Sequence, residues 1–421
     1  MEARPELERL AAAVREADLD ALLVLGSSAK EPDLAALLGP VHVHQSFVVA
    51  RPDGRMHLGF LSPMEREEAE ETGLELLTPE RLQVRKYTKE ETEEGMALAA
   101  IVDRGLAELG LGGPARLGVS GRPPLGEAWM VLEHLREEGW EIAPAGALLR
   151  SWRRRKSEWM VREVRRVADG ARDALTRVAE MLAAAVPRKG ELWLEEERLT
   201  VGRLRRAISR ELAETGLSQP EGNIVAPGRE GAVPHNAGRD PSVLRPGSSL
   251  IVDLYPRDAL FADTTRTFCV GEPPTPLREA YEAVREALAL AHRNLREEVS
   301  GWELQKRVCE YFVGEGYRTP VSHPGAVSGY VHGLGHGVGF ELHEIPSFKE
   351  NAGEEGMLRR GDLLTLEPGL YDPEEGFGVR LEDLVHLGPR GPELLTSMPY
   401  DLDPRAWLDQ RPGSAGSEPT N

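Results

Sequence analysis

Two aspartates, Asp253 and Asp263, stand ten positions apart in a stretch that is otherwise largely apolar. Residues 250–270 read LIVDLYPRDALFADTTRTFCV, with apolar runs on both sides of Pro256-Arg257-Asp258. This pattern predicts two antiparallel strands joined by a tight turn, each carrying one carboxylate. A carboxylate in a strand that is apolar on both faces is costly to bury unless it is paired or holds a cation. Taken alone, the two aspartates read equally well as charges at a hairpin end or a sheet edge.

A second cluster changes that balance. Residues 331–344, VHGLGHGVGFELHE, hold three of the chain's 11 histidines, His332, His336 and His343, interleaved with Gly333, Gly335, Gly337 and Gly339. Alternating glycines let backbone approach backbone or ligand closely, and imidazole is a borderline-soft donor suited to manganese, cobalt or zinc. No glutamate follows His332 and the glycines oppose a helix, so the segment is not a helical HExxH zinc motif, and neither phosphate-loop glycine pattern is present. Two further apolar segments, LLTLEPGLY at 363–371 and GVRLEDLVHL at 378–387, each read as a buried strand with one glutamate, Glu367 or Glu382. Pro368-Gly369 puts Glu367 where a strand gives way to a loop. Two aspartates, two glutamates and one imidazole suit a pair of divalent cations about 3.5 to 4 Å apart.

The elements needed to bring these residues together form two domains. Residues 5–18 have helical periodicity, 21–26 (ALLVLG) read as a buried strand, and 42–50 and 56–60 flank a Pro-Asp-Gly turn as a hairpin. A strand at 115–119, an amphipathic stretch at 127–137 and a short strand at 141–143 continue an alternating α/β pattern, so residues 1–145 form one small α/β domain. Residues 146–157 are expected as a linker, whose SWRRRK at 151–156 reads as a solvated helix start. The catalytic domain is expected over 158–408, opening on a long helix from Glu158 to about Ala185 and continuing as two blocks of helix followed by strands. The Gly/Pro/Ser-rich tail, 409–421, is expected to be disordered.

Composition narrows the partners. A chain of 421 residues with 40% hydrophobic content is large enough for two cores, and its formal charge of -19 repels phosphate backbones and anionic lipid. Nucleic acid and membrane are therefore not expected as partners. The two cysteines, Cys269 and Cys309, form no ligand motif and are expected in the core. Neither a basic, apolar leader nor an apolar run of the ~18 residues a membrane span needs is visible, and the expected location is the cytoplasm.

The combination of Asp253, the DTTRT run at 263–267, HGLGHGVG at 332–339, LEPGLY at 366–371 and GVRLED at 378–383 resembles the pita-bread metallopeptidases. Because an α/β domain precedes the catalytic part, the chain is most similar to their Xaa-Pro peptidase branch, prolidase and aminopeptidase P with a creatinase-like N-terminal domain. The resemblance implies an α/β N-terminal domain followed by an α+β pita-bread catalytic domain. It further implies two divalent metal ions, manganese first with cobalt or zinc possible, held by Asp253, Asp263, His336, Glu367 and Glu382. Two dications lower the pKa of water and polarise the scissile carbonyl. Glu367 then corresponds to a proton shuttle, His343 and His235 to donors toward substrate, and His332, Arg380 and Tyr371 to residues lining the substrate pocket.

The activity so implied is hydrolysis of Xaa-Pro bonds, with a dipeptidase favoured over an aminopeptidase acting on longer peptides, in a homodimer. A proline nitrogen carries no N–H, so a protease that docks substrate as an added strand loses a contact there and needs a dedicated pocket. For Arg380 the residues leave two readings open, a bidentate partner for a free carboxylate or a structural ion pair with Asp253 or Glu382. A metal-free amidinohydrolase of the creatinase kind and a non-catalytic binding module are the more remote readings. The chain departs from the family pattern by one residue fewer between the aspartates and by Tyr255 in place of a glycine. These departures bear on substrate preference more than on metal binding.

Overall fold

The computed structural model describes residues 5–410, and the chain divides into two compact units, Met1–Arg155 and Lys156–Asn421. The first unit is built in the order α1 (Pro5–Glu16), β1 (Ala21–Gly26), α2 (Pro32–Leu38), β2 (Ser46–Ala50), β3 (Met56–Phe60), α3 (Arg66–Glu71), β4 (Glu75–Leu77), α4 (Val84–Glu90), α5 (Glu94–Glu108), β5 (Arg116–Gly121), α6 (Leu125–Glu137), β6 (Glu141–Pro144) and α7 (Gly146–Arg154). Its six strands form one sheet in the order β4-β3-β2-β1-β5-β6. Strand β2 runs antiparallel to both β1 and β3, and the other pairings are parallel. The continuous apolar run of β1 is explained by burial on both faces. One face packs Ala21, Leu23 and Leu25 with Val102 and Leu106 of α5 and Val131 and Leu135 of α6.

The second unit opens on α8 (Glu158–Ala183), in which Val164, Val167, Ala171, Leu175, Val178 and Leu182 recur every three or four positions and are buried. A small sheet follows, β7 (Val186–Arg188), β8 (Glu191–Leu194) and β9 (Glu197–Arg198), then α9 (Val201–Glu214). Strands β10 (Asn223–Pro227), β11 (Ser249–Leu254) and β12 (Thr264–Cys269) form an antiparallel sheet. After α10 (Thr275–Asn294) and α11 (Gly301–Gly314) come β13 (His336–Gly337), β14 (Glu344–Ser347), β15 (Leu363–Leu366), β16 (Gly369–Asp372), β17 (Phe377–Arg380), β18 (Asp383–Gly388) and β19 (Gly391–Leu394). These give a five-stranded sheet, β14-β13-β15-β18-β19, and the separate pair β16-β17. A bridge between Thr265 and Glu382 joins β12 to the junction of β17 and β18. The core beneath holds Val284, Leu288, Val308 and Phe312 of α10 and α11 against Leu364, Leu366 and Val385, and both cysteines are buried free thiols. The fold is thus the expected one, an α/β domain and an α+β pita-bread domain. No helix among the described residues is long and apolar enough to cross a membrane.

Three sequence expectations are corrected. Residues 146–154, expected as linker, form α7, whose Leu149 and Trp152 are buried, and the division between the units falls at Arg155. The basic run is not a solvated helix start. Arg153, Arg154 and Lys156 are all buried, Arg153 placing Nε 2.8 Å from Asp33 and Lys156 placing Nζ 2.6 Å from Glu344. Third, the link between β11 and β12 is no tight turn at Pro256-Arg257-Asp258. It spans residues 255–263, because Arg257 makes bridges to both Ser218 and Phe261 and the apolar Leu260, Phe261 and Ala262 turn inward. The tail expected over 409–421 lies, from residue 411 onward, outside the described residues.

One buried ion pair ties the β10-β11-β12 sheet of the second unit to its five-stranded sheet. Arg266 of β12 places NH2 2.9 Å from Oδ1 of Asp383 and donates from NH1 to the Glu382 carbonyl at 2.7 Å. Breaking such a buried pair by removing one partner costs about 3–5 kcal/mol. The variant Arg266→Met should lose stability of that order in chemical denaturation followed through the second unit; a loss within the error of the unaltered chain would contradict this role.

In the first unit, Glu31 caps α2 by accepting from the Asp33 amide at 3.2 Å. Burial, with the nearby Asp33 charge, pushes its carboxyl up to about 7 against the opposing effects of that amide hydrogen bond and of Arg122 and Arg153. An acid raised on folding favours the folded state below its unfolded pKa and loses that contribution as pH rises through the folded value. Thermal unfolding of Glu31→Gln should therefore show a gain over the unaltered chain that is larger at pH 8 than at pH 5; a gain independent of pH would contradict the assignment.

Candidate active site

The five carboxylate and imidazole candidates meet on the sheets of the second unit. Asp253 lies on β11 directly opposite Thr265 of β12, and Thr265 is bridged to Glu382, so the three side chains share one face across neighbouring strands. Asp263, two residues before Thr265, joins them by strand alternation. Glu367 follows β15, its amide bonded to the Leu334 carbonyl at 2.7 Å, and His336 starts β13 with its amide on the Thr365 hydroxyl at 3.2 Å. Four of the five donors thus stand at strand ends or breaks, and only Asp253 sits inside a regular strand. Two glycines permit this packing. A Cβ on Gly335 would lie 2.0 Å from the Thr365 carbonyl oxygen, and one on Gly337 2.1 Å from that of Ile345.

Ligand-type atoms of Asp263, His336 and Glu382 lie within 4.8 Å of one another. His336 Nε2 is 3.6 Å from Asp263 Oδ2 and 3.6 Å from Glu367 Oε1. Its Nδ1 is 3.1 Å from the Gly337 carbonyl, which can only accept, so the ring proton sits on Nδ1 and the Nε2 lone pair faces two carboxylates. Burial and the neighbouring His343 push His336 down to about 3, which removes a second proton as the mediator. A cation between these atoms is what the donor set fits.

The carboxylates agree. Oδ1 of Asp253, Oδ1 of Asp263 and Oε1 of Glu382 are buried with no hydrogen-bond partner. Burial, together with the charges of Glu382, Asp253 and Glu367, raises Asp263 well above the carboxylate range; Glu382 is raised in the same way, and Glu367 is pushed up to about 8. Protein groups supply only part of the compensation. Thr265 Oγ1 donates to Glu382 Oε2 at 2.7 Å, and Arg380 donates from NH2 to Asp253 Oδ2 at 2.7 Å.

Of the two readings open for Arg380, the structure shows the ion pair with Asp253. Its other donors go to the Tyr371 hydroxyl at 2.7 Å, the Pro234 carbonyl at 3.3 Å and Thr265 Oγ1 at 3.4 Å, and it is buried. Tyr371 is buried too, its hydroxyl 2.9 Å from His332 Nε2. Because His332 Nδ1 must donate to the Gly333 carbonyl, 2.8 Å away, Tyr371 donates to Nε2 while accepting from Arg380. This chain of bonds fixes a neutral His332, which burial pushes down to about 3. His343 packs edge-on against His336 with ring centroids 4.2 Å apart. His235 is exposed and near enough to His332 and His343 for its charge to disfavour theirs.

Sequence reasoning gave no role of their own to Thr265 and Arg266, which stand in the DTTRT run, and took Lys156 for a solvated charge. An arginine inside the apolar run TRTFCV, a poor place for a surface charge, was the available signal for Arg266. Nothing local marks Lys156, whose partner Glu344 is far along the chain.

Residues 162–389 match metallopeptidase family M24. The Xaa-Pro dipeptidase of Pyrococcus furiosus is 33% identical over 49% of this chain and 57% of its own length. Xaa-Pro aminopeptidase 2 of Streptomyces coelicolor is 31% identical over 60% of this chain and 56% of its own length. The chain spans little more than half the length of these curated relatives. Among solved structures, the prolidase of Pyrococcus horikoshii superposes with a TM-score of 0.73 over 95% of this chain and 100% of that one; at 22% identity the likeness shows the fold. With more than half of its residues matched, and with the matched segment carrying all five candidate ligands, the chain belongs to metallopeptidase family M24.

Proposed function

We propose that the chain is a dinuclear-metal peptidase that hydrolyses the bond preceding proline, acting as an Xaa-Pro dipeptidase. The observation that carries the reading is the His336 Nε2 lone pair facing Asp263 and Glu367 at 3.6 Å, beside three buried carboxylate oxygens with no partner. Asp253, Asp263, His336, Glu367 and Glu382 would hold the two ions, with manganese as the native metal. When bound, such ions polarise the scissile carbonyl and make water a nucleophile near neutral pH.

The protein's own groups do the rest. The Glu367 carboxyl, half-buried beside the donor set, takes the proton of the attacking water and returns it to the leaving nitrogen. His343 and His235 donate to the substrate and to the oxyanion that develops from its carbonyl. Arg380 acts through Asp253 and Tyr371 as a positioning residue, and Tyr371 holds His332 against the pocket wall. The dipeptidase reading is supported by relatives named Xaa-Pro dipeptidase at 33% and 32% identity. An aminopeptidase acting on longer peptides is the second reading, supported by the Streptomyces coelicolor relative. The cation-deficient donor set speaks against a metal-free amidinohydrolase and a non-catalytic module. A homodimer in the cytoplasm completes the proposal, and the charge of -19 disfavours a nucleic-acid partner.

Release of the amino-terminal residue from an Xaa-Pro dipeptide and an Xaa-Pro-Yaa tripeptide, after loading with manganese, cobalt or zinc, tests the reading. We expect release from the dipeptide, highest with manganese, and its loss in Asp263→Ala together with bound metal measured by elemental analysis. Cleavage of neither peptide with any ion would reject it, and a clear preference for the tripeptide would move it to the aminopeptidase.

The Thr265 hydroxyl holds one oxygen of Glu382, and removing partners of this kind typically costs about 10- to 100-fold in metal affinity. Thr265→Val should weaken manganese binding by that range in calorimetry, while Thr265→Ser restores it. Unchanged affinity in the valine variant would show that the hydroxyl does not orient Glu382.

A further inference from the structure

The first unit contains a cavity of about 470 Å³, within the usual range of small-molecule sites, that the activity proposed above does not use. It lies beyond the carboxyl ends of β1 and β5, lined by Leu25 and Gly26 on one side and Arg122 and Pro123 on the other. These strands are parallel neighbours. Helix α2, after β1, packs with α7, whereas α6, after β5, packs with α5. The leucines of α2 are absent from the apolar cluster that joins α5 and α6 to the sheet, so the two helices leave to opposite faces. Such a switch point opens a crevice at the strand ends, where ligands bind in open α/β sheets.

Glu31 gives the crevice its chemistry. The residue is only 3% exposed, its Oε1 accepts from the Asp33 amide, and its Oε2 is buried with no hydrogen-bond partner. An acceptor so placed is costly unless a donor reaches it. The apolar wall is formed by Leu25, Leu61, Leu98 and Ile101. Lys30 and Arg122 line the same cavity and are exposed, at its rim, and Glu91, Glu94 and Glu127 add negative potential that favours entry of a cationic group. The ligand that matches has a primary amine for the inner carboxylate, an apolar body for the leucines and a carboxylate for the rim cations.

The geometry points to this crevice as a binding site for an apolar α-amino acid, its ammonium on Glu31 Oε2, its side chain against Leu61 and Leu98, and its carboxylate toward Lys30 and Arg122. The inference rests on the first unit alone and stands whether or not the chain cleaves Xaa-Pro bonds.

Calorimetry on the full chain with L-leucine, 3-methylbutan-1-amine and 4-methylpentanoate tests it, the last two lacking the carboxylate and the amine respectively. A hydrogen bond to a charged group contributes about 1.5–3 kcal/mol, so leucine should bind saturably and at least about tenfold more tightly than either analogue. Glu31→Gln should weaken leucine by the same factor, and Leu98→Trp, which fills the cavity without touching the carboxylate, should abolish binding with circular dichroism unchanged. Leucine bound equally by the unaltered chain and both variants, an analogue that matches leucine, or no saturation in the millimolar range would each overturn the site.

Discussion

Like charges forced together in a place shielded from water are the constraint around which the second unit is organised. Asp253, Asp263, Glu367 and Glu382 share one largely buried region, and ionising any one of them raises the cost of ionising the others. A single guanidinium and one threonine hydroxyl relieve part of this, Arg380 at Asp253 and Thr265 at Glu382. The residual demand for positive charge is what suits this part of a hydrophobic sheet to a cation. His336 has the same logic in neutral form: its backbone bond to Gly337 keeps the proton on Nδ1 and turns an electron pair toward the carboxylates.

Holding such a cluster requires a frame stiffer than the repulsion it contains. The consecutive strands β11 and β12 and the distant β17–β18 junction meet at Asp253, Thr265 and Glu382 through backbone register, which fixes side-chain direction before any side chain makes a bond. Arg266 and Asp383 point away from the donor set and bind the same strands from behind, with His292 and Tyr400 on the second carboxylate oxygen of Asp383. Asp263, Glu367 and Glu382 themselves stand where strands stop, before β12, after β15 and between β17 and β18. Glycine 335 and glycine 337 complete the arrangement by letting the histidine strand lie against Thr365 and Ile345 with no side chain between.

The first unit uses its buried charge differently. Arg153 reaches Asp33 at the start of α2, while Glu31, two positions earlier, keeps one oxygen for the backbone and leaves the other without a hydrogen-bond partner. In both units buried acids mark places where the protein alone does not satisfy its own polar atoms, and in both the completion proposed above is a ligand: a metal pair in one, an organic ammonium in the other.

The five candidate residues that the fold brings near one another, the order of an α/β unit before an α+β one, and the strand character of 250–254, 264–269 and 363–366 were readable from the chain, because each rests on local pattern: apolar runs, turn residues, and carboxylates where apolar residues are expected. Helices α2 to α5 were not assigned; α2 is buried along its whole length and so shows no polar face. The basic run at 153–156 was misread for a related reason, since its partners Asp33 and Glu344 lie 120 and 188 positions away and nothing near the run announces them. Arg380 shows the limit most plainly: its residue type allowed either a substrate carboxylate or Asp253, and only the fold, bringing β17 beside β11, chose the second. Residue type and spacing determine what chemistry a chain can perform, whereas the pairing of specific atoms depends on closing loops of more than a hundred residues, which is a property of the tertiary structure alone.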